Sequence, residues 1–126
     1  MSDESAKYII ELAKDLFATM RVQNPLWQVA YFRYAKFIGS TSASASYRTA
    51  CEVELLSVFQ HTEFFRRAKN LSDNIFLSLD KNTGMFLLVI NKNLDYSVEF
   101  EYEDPDKWEI TKRNGASGIP IGYEGK

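Results

Sequence analysis

Cysteine and histidine are almost missing from this sequence: Cys51 and His61 are the single copies of each. One cysteine cannot close an internal disulfide, which removes the signature of a small secreted scaffold. A zinc site needs three or four ligands at suitable spacing, and these two residues sit ten apart on different predicted elements. Neither a metal site nor a cofactor is expected. Cys51 falls on the apolar parity of a predicted strand and reads as a small core residue; His61 reads as a helix-start or surface residue. Long apolar runs are missing as well. The longest, "MFLLVI", has six residues, far fewer than a bilayer demands. The opening "MSDESAK" has neither the basic nor the apolar region of a signal peptide. A soluble, cytoplasmic protein with no membrane partner is the expectation. Gly115, Gly118, Gly122 and Gly125 follow the last strand-like segment and open no helix, so no phosphate-cradling loop exists. With these parts absent, an enzyme is not expected.

What is present describes one folded unit. The length of 126 residues suits a single domain, and 45% hydrophobic against 25% charged residues is the balance of a globular chain. Residues 3 to 21 carry Tyr8, Ile9, Leu12, Leu16, Phe17 and Met20 at spacings of three and four, which predicts a helix with one apolar stripe. "QNP" at 23–25 stops it, because Asn24 precedes a proline. The aromatic "LWQVAYFRYAKFI" predicts a strand over 26–38. "GSTSAS" then reads as a serine-rich turn, and "SYRTACEVELL" as the second strand of a hairpin. Residues 61 to 71 return to helical spacing through Phe64, Phe65, Ala68 and Leu71, with "SDN" as the stop. Strands are predicted at 75–79, 85–90 and 96–103. The glycine-rich 112–126 reads as an irregular tail. The sum is an α+β domain of order α-β-β-α-β-β-β. It comprises a mostly antiparallel sheet of about five strands with two helices packed on one face.

Charge is where the chain departs from the ordinary. Leu94 to Ile110 holds seven acids against Lys107 alone, a window of −6 in a chain of net charge −2. Within "DYSVEFEYEDPDKWE", Val98, Phe100 and Tyr102 alternate with Glu99, Glu101 and Glu103. On a strand this gives one apolar face and one acidic face. Side chains two apart stand roughly 6.7 Å from each other, and like charges at that distance repel by about 0.6 kcal/mol in water. A solvated face explains such a row, as does the guarding of a sheet edge. A third explanation is a docking surface for a basic protein, with Glu99, Glu101, Glu103, Asp104 and Asp106 as the contacting residues. Arg66, Arg67 and Lys69 beside two core phenylalanines are too few to suggest nucleic-acid binding.

The chain resembles the YezG-like immunity proteins of bacterial polymorphic toxin systems, contact-dependent or secreted. The likeness rests on an N-terminal helix followed by "PLWQV" opening a hairpin, then a second helix. After these comes "LLVINKNLDYSVEFEYEDP", which is similar to that family's final hairpin. The resemblance implies a cytoplasmic antidote. It would bind the toxic domain of a cognate effector, often a basic nuclease, and neutralise it by stoichiometric occlusion. The family supplies no catalytic residues to carry over. The alternative is a small α+β interaction or adaptor domain with another partner, including a homodimer joined through a sheet edge.

Overall fold

The computed structural model describes residues 3–125. Helix α1 spans Asp3–Gln23 and is followed by strands β1 (Val29–Phe37), β2 (Ser40–Arg48) and β3 (Val53–Leu55). Helix α2 covers Thr62–Ser78, and β4 (Gly84–Asn91) and β5 (Tyr96–Glu101) complete the sheet. All pairings are antiparallel, in the order β3-β2-β1-β4-β5. The α+β class, the five strands and the two helices on the sheet are as the sequence predicts. The third strand, however, precedes α2, where the sequence suggested that it follows.

Two local readings change. "IFLSL" at 75–79 is the end of α2, because Ile75 and Phe76 extend the helical stripe of Phe64, Phe65, Ala68 and Ser72 into the core. The expected stop at "SDN" is overridden by burial of Ser72, by the tertiary bond from Tyr34 to Asp73 and by an i,i+4 pair within the helix. Ser72 is fully buried, and Asp73 accepts the Tyr34 hydroxyl at 2.5 Å and Lys69 Nζ at 3.0 Å. The helix ends instead in a Schellman motif. Asp80 is left-handed at φ 57, Lys81 N–H bonds the Phe76 carbonyl at 3.0 Å, and Asp80 N–H bonds that of Leu77 at 3.1 Å.

The expected serine-rich turn is strand β2. It pairs with β1 over its full length from Phe37↔Ser40 to Val29↔Arg48, leaving only Ile38 and Gly39 for the turn. Gly39 takes φ 76 there, the conformation a type II turn requires at its third residue. The expected strand over 46–56 breaks at residues 49–52, and Cys51, expected in the core, is exposed in that bend.

The helices cover one face of the sheet. Ala30, Phe32, Tyr34, Phe86, Leu88 and Ile90 meet Leu12, Leu16, Phe65 and Phe76, and Trp27 of "PLWQV" is buried edge-on against Phe17. The opposite face is not left to solvent. Tyr31, Ala35, Met85 and Leu87 form a second cluster with Trp108, and Ile110, Ile119 and Tyr123 pack against it. The segment after β5 is irregular, as expected of 112–126, yet it works as a third layer. Trp108 is the centre of that layer, 5% exposed. Trp108→Ala is expected to destabilise the fold by about 3–5 kcal/mol, measured as a shift in the urea midpoint.

Candidate functional site

The acidic segment is organised by a residue far from it in sequence. Arg33 lies in the middle of β1 on the face shared with Tyr31 and Ala35, and it is 7% exposed. Its Nε donates to the Lys107 carbonyl at 2.8 Å and its Nη2 to the Pro105 carbonyl at 2.7 Å. Burial pulls the guanidinium pKa down, and the nearby carboxylates of Glu109, Asp106 and Asp104 oppose that shift. An arginine does not shed its proton in a protein, so a fixed positive charge sits beneath the loop. The loop's negative charge is the natural counterweight.

Each predicted contact residue can now be placed. Glu99 and Glu101 stand opposite Leu87 and Met85 in the β4–β5 register, on the face that carries the tail. Glu99 accepts a hydrogen bond from the Tyr123 hydroxyl. Burial and that carboxylate push the Tyr123 pKa up to about 12. Glu101 accepts the backbone N–H groups of Glu103 at 3.0 Å and Asp104 at 3.1 Å, and it pairs with Lys107 at 3.1 Å. Those bonds, the two backbone ones foremost, hold its carboxyl below the ordinary 4.5. The row expected to face solvent as a regular comb is therefore broken. Strand β5 ends at Glu101, so Glu103 is no part of it, and the two strand glutamates are occupied by the chain itself.

What stays outward is a knuckle. Glu103, Asp104 and Asp106 are exposed. Asp104 Oδ1 accepts the Asp106 N–H at 2.9 Å, which tightens the turn. Three attachments hold the knuckle from below: the Arg33 fork, the Glu101–Lys107 pair, and Trp108, over whose ring Lys107 Nζ lies at 4.8 Å. On the helix face, Phe100 stacks on Tyr102, and Gly84 gives Tyr102 its seat. A Cβ at Gly84 would stand 2.7 Å from the Tyr102 ring.

Sequence reasoning missed Arg33 and Tyr123, and it pointed to Trp108 only as an aromatic anchor for a partner, whereas the ring is buried in the chain's own third layer. A signal for the first existed, since Arg33 is a charge set among the aromatics of "AYFRYAKF". No group of three His, Cys, Asp or Glu side chains among the described residues is arranged to hold a metal ion. A groove of about 260 Å³ between α1 and the β4–β5 turn is lined chiefly by Ile10, Ala13, Phe17, Ile90, Leu94 and Tyr96, with Lys14, Asn91 and Asp95 as its polar members. No helix among the described residues is long and apolar enough to cross a membrane. Compared with models of known families and with curated proteins, the chain matches none.

Two outcomes follow. Arg33→Met is expected to speed amide hydrogen exchange over residues 103–108 while exchange in α1 and α2 stays unchanged, because only the fork to Pro105 and Lys107 is lost. Glu101 has a depressed folded pKa, so its contribution to stability is present above the ordinary 4.5 and is lost as pH falls through the lower folded value. The stability gap between wild type and Glu101→Gln should be positive at neutral pH and close in the acid range, as read from urea unfolding.

Proposed function

We propose that this chain is a non-catalytic protein-binding domain of the immunity class, which neutralises a basic toxic domain by occluding it. The observation that carries this reading is the knuckle. Three exposed carboxylates, Glu103, Asp104 and Asp106, are displayed on a turn pinned to the sheet at Arg33. A preformed anionic surface loses little freedom on docking. It also raises the encounter rate with a cationic partner.

A nuclease grips nucleic acid through lysines and arginines, and a stiff cluster of carboxylates competes for the same groups. The resemblance of "LLVINKNLDYSVEFEYEDP" to the final hairpin of the YezG-like immunity proteins supports the same class. On this reading Glu103, Asp104 and Asp106 dock, while Glu99 and Glu101 brace the surface from within. The antidote then acts in the cytoplasm, where a nuclease finds its substrate, and binds no nucleic acid itself.

The toxic domain encoded beside this chain's gene is the partner to test. Wild type should restore growth when co-expressed with it. Glu103→Gln/Asp104→Asn/Asp106→Asn, which keeps a side-chain oxygen at 104 for the residue-106 N–H and adds no positive charge near Arg33, should remain folded and associate roughly tenfold more slowly or worse, with a flattened dependence on ionic strength. Failure of wild type to bind that domain overturns the immunity reading. Binding at an unchanged rate by the triple variant removes the knuckle as the docking surface.

A further inference from the structure

The chain holds seven asparagines, and the fold treats their side-chain amides very differently. Asn24 is followed by Pro25, which has no N–H. Asn70 and Asn74 lie within α2, where the N–H groups of the residues that follow them belong to the helix ladder. Asn91 is engaged on both sides of its amide: Oδ1 accepts the Asn93 N–H at 2.8 Å and Nδ2 donates to Asp95 at 3.2 Å. Asn82 and Asn93 precede Thr83 and Leu94, whose branched side chains crowd the intervening peptide. Asn114 differs on every count. It is exposed, its side chain makes no hydrogen bond among the described residues, and Gly115 follows it. The space beside Gly115 is open, since a Cβ there would meet nothing within 4 Å.

The backbone explains why this pair stands where it does. Asn114 has φ 56 and ψ 34 and Gly115 has φ 81, while the Ala116 N–H bonds the Arg113 carbonyl at 3.1 Å. Positive φ at both central residues is the type I′ turn, for which Asn-Gly is a favoured pair. The same pair is chemically vulnerable. An asparagine side-chain carbon lies within reach of the next main-chain nitrogen, and glycine puts no side chain in the way. Attack requires ψ of Asn114 to rotate away from 34. A turn at the surface, closed by a bond open to water, restrains that rotation weakly.

We propose that Asn114 is a site of spontaneous deamidation, with water as its only co-reactant. The Gly115 nitrogen gives its proton to solvent base and bonds to Asn114 Cγ. The side-chain nitrogen takes up a proton and leaves as ammonia, closing a five-membered succinimide. Water then opens the ring without any change of oxidation state. Cleavage at Cγ yields an aspartyl residue, and cleavage at the former main-chain carbonyl carbon yields an isoaspartyl residue. Either product sets a new carboxylate beside Lys112 and Arg113, both exposed, so the cationic loop loses one unit of charge. The isoaspartyl form also lengthens the main chain by one atom, which the Arg113–Ala116 turn does not accommodate. That turn joins Ile110 to Ile119, two of the side chains that seat the third layer. The modification therefore loosens the cover of the sheet's reverse face and leaves the helix layer untouched.

The test is to incubate the full folded chain in neutral and in mildly alkaline buffer. Peptide mass spectrometry then reads the modified fraction at each asparagine, and an isoaspartyl methyltransferase assay reads the rearranged product. Position 114 is expected to convert at least about tenfold faster than any of the other six asparagines, because only there is the nucleophile both free and unshielded. The rate should rise with pH, and isoaspartyl should exceed aspartyl. Gly115→Ala, which crowds the nitrogen, and Asn114→Gln, which keeps the glycine but requires a larger ring, should each suppress the conversion. Amide exchange over residues 111–119 should be faster in the isoaspartyl fraction, with α1 and α2 unchanged. A folded chain in which Asn114 converts no faster than the other asparagines overturns the proposal. So does a product that is aspartyl alone, which would mean direct hydrolysis without the ring, and so does a rate at 114 that Gly115→Ala leaves unaltered.

Discussion

A guanidinium buried on an otherwise apolar sheet face is costly unless polar groups come to it. Arg33 draws the carbonyls of Pro105 and Lys107 down to the sheet, and it thereby decides where the whole segment after β5 begins. With residues 105 and 107 fixed, Trp108 falls onto Tyr31 and Met85, its backbone accepting φ 59 to do so. Ile110, Ile119 and Tyr123 then close the remainder of the face. The acids above the loop make burial of the cation tolerable, so charge and packing on this side of the molecule are one arrangement.

That arrangement accounts for the acidity of the segment more economically than a display strand. Glu101 serves as the internal staple of the turn through two backbone N–H groups and Lys107. Glu99 fastens the far end of the tail through Tyr123. The carboxylates left over lie at the turn's outer rim, where solvent lowers their mutual repulsion. A surface of this kind is stiff because of its underside, and stiffness is the property that docking by charge rewards.

Much of the frame was legible from spacing alone. Helix α1, the alternation of Val98 and Phe100, and the central apolar strand "MFLLVI" follow from periodicities of 3.6 and 2. Three features were not, each for a physical reason. Helix α2 runs past "SDN" because Asp73 finds Tyr34, a partner distant enough in sequence that no local propensity registers it, and because Ile75 and Phe76 carry the apolar stripe on into the core. Strand β2 forms from serine and alanine because β1 offers a full-length ladder, and main-chain pairing outweighs the weak strand preference of those side chains. The third layer was hidden because Trp108, Ile110, Ile119 and Tyr123 have no regular period. A glycine-rich segment with isolated apolar residues resembles a solvated tail until a bare sheet face is there to receive it. The outward acidic comb was the casualty of that omission.

The order of the layers along the chain bears on how the protein is made. Both helices and all five strands precede residue 102, so the two-layer body and the segment that covers its reverse side are separate stretches of chain. Whenever that segment is undocked, Tyr31, Met85 and Leu87 have only water against them. A change that slows the seating of Trp108 therefore lengthens the life of a sticky intermediate, and with it the exposure to aggregation and to holdase chaperones.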